Sequence, residues 1–145
     1  MPSAQVTICQ LLIGLPVGGA EVLAARLGHR LSWSYRVVFT CLESSGELGD
    51  RLAGEGFTVH VLGKRPGIDG STARRLHRLL QRERVDLVHA HQYGPFFYAA
   101  LARLPFRRPP IVLTEHGRAF PDPRRFGHAV ANRLLIRGRD RIFGV

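Results

Sequence analysis

The chain has 145 residues, of which 45% are hydrophobic, and this composition is typical of one globular domain and argues against a disordered chain. No apolar run approaches the roughly 20 residues that a membrane-spanning helix needs. The formal net charge is +10, and nearly all of the basic residues are Arg. A charge of this sign attracts phosphate, nucleic acid or an anionic membrane.

Six short apolar segments, rich in Val and Ile, recur along the chain, and each predicts a β-strand, the last of which would present an exposed sheet edge. They are Val6–Ile13, Tyr35–Leu42, Phe57–Leu62, Val85–His91, Pro110–Thr114 and Arg141–Val145. Strands that are apolar nearly throughout suit a parallel sheet that is covered on both faces.

Helical patterns lie between these strands. They are Ala20–Leu31, Glu47–Ala53, Ser71–Arg84, Pro95–Leu104 and Phe126–Arg137, and the third begins with a Ser/Thr cap. Because strand and helix alternate, residues 1–145 are predicted to form a single α/β domain with a Rossmann-like, doubly wound and mainly parallel sheet of about six strands. Ligands of such sheets bind at the carboxyl ends of the strands, so functional residues are expected there.

The N-terminus and the two cysteines are typical of a cytoplasmic protein. Residues Met1–Gln5 lack the basic cluster, apolar stretch and cleavage site of a signal peptide. Cys9 and Cys41 both lie in predicted strands, which favours two buried free thiols over a disulfide or a metal site.

A glycine-rich turn joins the first strand to the first helix. Gly18 and Gly19 let the backbone approach a ligand closely, and the helix N-terminus offers free N–H groups to a phosphate. A plain turn explains the same glycines about equally well. The spacing is neither that of a dinucleotide-binding fingerprint nor that of a nucleotide triphosphatase loop.

Histidines and acidic residues follow the fourth and fifth strands. Alternation puts His89 and His91 on one side of the sheet, with His91 at the strand tip as the better ligand contact and His89 as a buried core residue. Glu115 and His116 end the fifth strand, where His116 could donate a hydrogen bond to a sugar hydroxyl or a carbonyl. A zinc site that adds Glu115 or His116 to the pair is the weaker alternative.

The third predicted helix is basic and amphipathic. Arg74, Arg78 and Arg82 recur every four residues and form one stripe, with Arg75 beside it. A solvated helix face is the commoner explanation for such a stripe. The functional alternative is a membrane patch that docks on an anionic surface carrying a lipid-linked acceptor, to which Arg84 and 105–108 can add.

Three segments, in this order and spacing, resemble the N-terminal domain of family-4 glycosyltransferases, which have a two-domain GT-B architecture. They are Gly18–Glu21 leading to Leu27–His29, then Val85–His91, then Pro110–Gly117. Each segment alone is weakly specific, but the three together span nearly the whole chain.

The resemblance implies retaining transfer of a sugar from a nucleotide-sugar to a glycan, lipid-linked or small-molecule acceptor, without a metal ion or cofactor. It implies that Gly18 and Gly19 approach the donor diphosphate and that His116, as the catalytic candidate, lies near the transferred sugar. The acceptor-binding candidates are Glu21, His91, Gln92, Tyr93 and Glu115. The physical demands of the reaction agree with a glycine turn at the diphosphate, because a departing diphosphate needs mainly positioning and electrostatic stabilisation.

The family's C-terminal half carries the nucleotide pocket and paired glutamates, and residues 1–145 contain no such segment. We therefore expect the chain to be the acceptor-side half of the enzyme, to lack its C-terminal donor-binding domain and to be inactive alone. A non-catalytic or split-subunit binding module and a dinucleotide-binding domain of an oxidoreductase, with Glu43 on the ribose, remain alternatives. Nucleic-acid binding is not expected, because no aromatic platform accompanies the charge.

Overall fold

Strands and helices alternate along the part of the chain that the computed structural model describes, which is residues 5–104, 108–116, 133–136 and 138–144. The strands are β1 Thr7–Gly14, β2 Arg36–Ser44, β3 Thr58–Val61, β4 Leu87–His91, β5 Ile111–Glu115 and β6 Arg141–Gly144. The helices are α1 Gly19–Leu31, α2 Gly46–Gly54, α3 Gly70–Arg82 and α4 Tyr93–Ala102. The fifth predicted helix, 126–137, lies largely outside the described residues.

The six strands form one sheet in the order β3-β2-β1-β4-β5-β6, and every strand pair is parallel. This order confirms the predicted Rossmann-like, doubly wound fold. The chain first builds outward from β1 to β3 and then returns to build β4, β5 and β6 on the other side. The switch point between β1 and β4 is where such sheets bind their ligands.

Helices cover both faces of the sheet because successive side chains of each strand point to opposite faces. Leu12 and Phe39 pack in the core on the α1 and α2 face, whereas the neighbouring Leu11 packs with Phe96 in the core on the α3 and α4 face. Gly28 lets α1 lie close to the sheet, since a Cβ added there would stand 2.4 Å from Cζ of Phe39. None of the described helices is long and apolar enough to span a lipid bilayer.

The N-terminus of α3 differs from the sequence prediction. Asp69, and not Ser71, caps the helix, and its carboxylate accepts hydrogen bonds from Ser71 N at 3.1 Å and from Thr72 Oγ1 at 3.1 Å. The Arg65 guanidinium donates to Asp69 Oδ1 at 3.3 Å, and it is the main cause, with the Ser71 donors and Arg65 N next, of an Asp69 pKa well below the usual range. A carboxylate that reaches several donors at once competes successfully with the single hydroxyl of Ser71.

Strand β6 lies at the edge of the sheet, which confirms the predicted sixth strand and its exposed sheet edge. All four of its residues are exposed. The chain is anchored just before β6 by Asp140, which is buried with Arg103 at the end of α4 and accepts a hydrogen bond of 3.0 Å from Ile111 N.

The two cysteines are free and buried, as predicted. Burial raises the pKa of the Cys9 and Cys41 thiols to about 12, so both stay protonated at neutral pH. A protonated, enclosed thiol is a poor nucleophile and a poor metal ligand.

Candidate functional site

The glycine-rich β1–α1 turn is anchored at its start. Leu15 is fully buried, and its carbonyl accepts a hydrogen bond of 3.0 Å from Leu48 N in α2. Gly46 has a φ of +65°, and a Cβ there would stand 2.6 Å from the Leu15 carbonyl oxygen, so glycine is required for this contact. The turn therefore leaves β1 along a defined path.

The second half of the turn is open to solvent. Val17 is 69% exposed, and Gly18 is the N-cap of α1, followed by Gly19 as the first helical residue. Nothing lies within 4 Å of the position that a Cβ on Gly19 would occupy. The backbone of Gly19 is thus open to a ligand at the positive end of the helix dipole.

A carboxylate of the protein already lies over this helix end. A Cβ added at Gly18 would stand 2.4 Å from Oε2 of Glu21, so the Glu21 side chain folds back over the N-cap. In this position the negative charge of an acidic residue in the first turn interacts favourably with the positive end of the helix dipole. An anion that binds here must displace the Glu21 side chain, because two negative charges repel.

The structure brings the tips of β4 and β5 together through a chain of buried polar side chains. His91 Nε2 lies 2.7 Å from Gln10 Oε1 in β1, and His91 Nδ1 lies 3.3 Å from His116 Nε2. His89 Nε2 lies 2.8 Å from Thr114 Oγ1. His89 and His91 do share one side of the sheet, with ring centroids 4.2 Å apart.

His89 is buried and hydrogen-bonded, as expected, but His91 is buried as well, which differs from the expectation. His91 is 2% exposed and uses both ring nitrogens within the protein, whereas His89 is 9% exposed. His91 lies at the strand tip, but β1 on one side and β5 on the other enclose it. It can therefore act on a ligand only through His116, which is half-buried directly after β5.

Burial keeps this histidine pair neutral. It lowers the pKa of His89 to about 4 and that of His91 to about 3, with the neighbouring histidines adding to the effect. Within the described ranges no group of three His, Cys, Asp or Glu side chains could hold a metal ion.

The other predicted acceptor contacts lie at the same edge of the sheet. Gln92, the N-cap of α4, donates its N–H to Thr114 O at 2.8 Å and has φ 77° and ψ 165°. That backbone region is essentially restricted to glycine. Tyr93 packs against the core on the α3 and α4 face, near Phe96, and Glu115 is the last residue of β5.

The basic stripe on α3 separates into two groups. Arg74, Arg78 and Arg82 are exposed. Arg75 turns inward, since its guanidinium donates to Leu62 O at 2.9 Å and to Thr72 Oγ1 at 2.8 Å. Its charge thus supports the loop before α3 and adds little to the exposed stripe.

A groove of about 260 Å³ lies at the opposite edge of the sheet, before the start of β4 and β5. His77, Arg84 and Arg108 contribute to its lining. It extends the basic surface of α3 but lies away from the glycine turn and the histidines.

Gln10 is the site residue that the sequence analysis missed. It is fully buried in the middle of β1, where it lies directly beside His89 in the parallel register of β1 and β4. Its signal in the sequence was a lone amide inside an apolar strand, between Cys9 and Leu11. Buried polar groups usually have a specific partner, so the strand pattern could have marked it.

The comparisons with known proteins agree with this geometry. The sequence profile of Glycosyltransferase Family 4 matches residues 17–145. A crystal structure of MurG from Acinetobacter baumannii is similar over 94% of this chain and 44% of its own, with a TM-score of 0.63 and 12% identity. A glycosyltransferase from Rickettsia africae is similar over 90% of this chain and 35% of its own, with a TM-score of 0.64 and 14% identity. A search of curated protein sequences finds no significant match.

These structural likenesses establish the fold, and the chain spans less than half of either solved protein. Family membership rests on the sequence profile, which includes the glycine turn and the histidines at the tips of β4 and β5. Because that profile covers most of the chain, the protein belongs to Glycosyltransferase Family 4.

Proposed function

We propose that the chain forms the acceptor-side domain of a retaining glycosyltransferase, which transfers a sugar from a nucleotide-sugar to a glycan, lipid-linked or small-molecule acceptor. The observation that carries the proposal is the open backbone of Gly19, directly after the N-cap Gly18, at the N-terminus of α1. This turn lies at the switch point of the sheet, where Rossmann-like folds bind ligands.

The glycine turn suits a departing diphosphate. Charge on the leaving group grows as the bond to the sugar breaks, and backbone N–H groups at a helix end stabilise that charge without reorganisation. Glu21 covers the turn when no anion is bound, and its displacement would free the carboxylate to meet an acceptor hydroxyl. No metal ion or cofactor is part of the proposal.

The histidine side of the cleft is assigned to the sugars. His116 contacts the transferred sugar, while Gln92 and Glu115 contribute to the acceptor pocket from the same edge. His91 and Tyr93 support this pocket from behind, because His91 is buried and the partly buried Tyr93 packs against the core. The nucleotide pocket belongs to a further domain, so we expect residues 1–145 alone to bind donor weakly and not to transfer sugar.

Gly19→Ala tests the proposal. Nothing surrounds the added methyl group, and Gly→Ala within a helix stabilises it by about 0.5–1 kcal/mol, so the fold should persist. A methyl group between backbone and diphosphate should raise the KM for the nucleotide-sugar by roughly tenfold or more in the full-length protein. Steady-state transfer with a labelled donor measures this.

Gly70→Ala is the matched control. Gly70 is the first residue of α3, directly after the cap Asp69, and a Cβ there also meets nothing within 4 Å. Its kinetics should equal those of the unaltered protein. Equal KM values for Gly19→Ala and Gly70→Ala would count against a diphosphate at the turn, and an inverted anomeric centre in the product would exclude the retaining mechanism.

We also propose that the exposed arginines of α3 hold the enzyme at the inner, cytoplasmic face of an anionic membrane. Each Lys or Arg near such a surface contributes about 1 kcal/mol. Arg74→Gln combined with Arg78→Gln should weaken binding to phosphatidylglycerol vesicles roughly 30-fold at low salt. Vesicle sedimentation measures the change.

Arg26→Gln combined with Arg30→Gln is the control pair. It removes two exposed charges, also four residues apart, from α1 on the opposite face of the sheet. It should change vesicle binding far less than the α3 pair. An equal loss from both pairs would mean that net charge alone attracts the membrane.

A further inference from the structure

Two hydrogen bonds connect Gln10, His91 and His116, and in both the proton is donated toward Gln10. The rings of His91 and His116 are nearly parallel, at 17°, with centroids 5.6 Å apart and the facing nitrogens 3.3 Å apart. This centroid distance fits two coplanar rings that meet end to end. The contact is thus an N–H···N hydrogen bond in the plane of both rings, and it needs one donor and one acceptor.

Gln10 decides which nitrogen donates. Its Oε1 lies 2.7 Å from His91 Nε2, and an amide oxygen can only accept, so Nε2 of His91 carries the hydrogen. Gln10 Nε2 has no hydrogen-bond partner among the described residues, so the contact between Oε1 and His91 Nε2 is the hydrogen bond that this side chain makes there.

The protonation of His91 determines which nitrogen of His116 donates a hydrogen bond. Burial holds the pKa of His91 near 3, so the ring is neutral and has a single N–H. Nε2 of His91 donates that hydrogen to Gln10 Oε1. Nδ1 of His91 must therefore accept, and its donor is Nε2–H of His116. Among the described residues, Nδ1 of His116 has no hydrogen-bond partner.

We propose that Gln10 and His91 are positioning residues that hold His116 in its Nε2–H tautomer, so that Nδ1 meets the ligand as a hydrogen-bond acceptor. An acceptor selects a group that can donate. A sugar hydroxyl donates, whereas a diphosphate oxygen or a carbonyl has only lone pairs. This role rests on the proposed function: Nδ1 of His116 accepts a hydrogen bond from a hydroxyl of the bound sugar. The sequence led us to expect His116 as a donor.

The tautomer can be measured without any substrate. Long-range ¹H–¹⁵N spectra of the ¹⁵N-labelled protein at about pH 8, where an ordinary histidine is neutral, distinguish protonated from unprotonated ring nitrogens. His116→Asn assigns the signals of that ring. We expect Nε2 of His116 to be protonated and Nδ1 to be unprotonated. The opposite pattern, which a reversed Gln10 amide would cause, or an equal mixture overturns the proposal.

Gln10→Met tests the origin of the preference. It removes the acceptor while it keeps an unbranched side chain, and loss of one hydrogen bond should reduce the tautomer preference of His116 about two- to tenfold. Thr114→Val is the control, because it removes the partner of His89 and leaves the contacts of His91 intact. An unchanged His116 signal in a folded Gln10→Met protein, or an equal change in Thr114→Val, contradicts the role of Gln10.

The hydroxyl assignment has its own measurement. Among single-deoxy analogues of the donor, one should bind the unaltered protein about two- to tenfold more weakly, and this penalty should vanish in His116→Ala. If no analogue shows such coupling, the hydroxyl assignment is wrong. If the tautomer is the expected one but the full-length protein transfers no sugar, the proposed function is refuted and the hydrogen-bond chain still stands.

Discussion

At the residue scale, the site depends on neutral histidines enclosed by the sheet. His89 and His91 lie on adjacent positions of one face of β4, and each has a polar partner in a neighbouring strand. Protonation of either ring would place an uncompensated charge where water cannot reach it. The same burial that orients His116 therefore makes the fold sensitive to acid.

We expect the free energy of unfolding to fall as the pH drops below about 6.5. The folded pKa values, about 4 for His89 and about 3 for His91, lie below the ordinary 6.5, so the unfolded chain binds protons first. Each histidine then removes up to about 1.4 kcal/mol per pH unit, and the loss continues down to its folded pKa. Urea unfolding at several pH values between about 7 and 5 measures the slope.

His91→Gln is the variant that isolates this effect. It removes one titrating ring and keeps a hydrogen-bonding side chain, so the slope over this range should become shallower even if the protein is less stable at every pH. Carboxylates such as Glu83, whose pKa Arg36 lowers, titrate further toward acid and are common to both proteins. Identical slopes would show that His91 does not titrate as the structure implies.

At the element scale, the junction of β4 and α4 carries backbone strain next to the predicted acceptor pocket. Gln92 adopts a conformation that side chains disfavour, and its hydrogen bond to Thr114 O joins the tips of β4 and β5. Strain of this kind costs about 1–3 kcal/mol and persists where the surrounding structure enforces it. The Gln92 side chain is thereby held at the carboxyl edge of the sheet.

Gln92→Gly should be more stable than Gln92→Ala by about 1 kcal/mol. Both variants lose the side chain, but only glycine adopts this φ and ψ without strain, and the gain exceeds the greater entropy of glycine in the unfolded chain. Urea unfolding compares the two proteins. Equal stability, or a more stable Ala variant, would mean that the junction is unstrained.

At the scale of the whole molecule, one buried ion pair connects the last strand to the rest of the domain. Arg103 at the end of α4 and Asp140 before β6 form two parallel hydrogen bonds, and Arg103 also donates to Leu135 O at 2.7 Å. Asp140 accepts from the first residue of β5 as well. The edge strand has exposed side chains, so this pair is a main anchor for it.

Asp140→Asn should lower the free energy of unfolding by about 3–5 kcal/mol, because it leaves the Arg103 charge buried without a counter-ion. Arg51→Gln is the control, since it breaks an ion pair with Glu55 in which both side chains are largely exposed. That change should cost less than about 1 kcal/mol. Comparable losses in the two variants would mean that the Arg103–Asp140 pair is not effectively buried.

The local pattern of the sequence was sufficient to predict the fold class and the family. Apolar runs marked the strands, alternation with amphipathic helices predicted the parallel sheet, and the glycine turn and strand-tip histidines carried the family resemblance. These signals are local, because each depends on residues that are neighbours along the chain. Periodicity does not reveal which strand lies beside which, and so it could not predict the burial of His91 or the contact of Arg75 with Leu62 O.

Only the tertiary structure assembled the hydrogen-bond chain to His116. Gln10 and His91 are 81 positions apart in the sequence, and His91 and His116 are 25 apart. They meet because β1, β4 and β5 are adjacent and in register, with Gln10 opposite His89 and His91 opposite Thr114. Sheet order and register arise from the packing of all the elements together, and these decide which polar groups lose water and must satisfy one another.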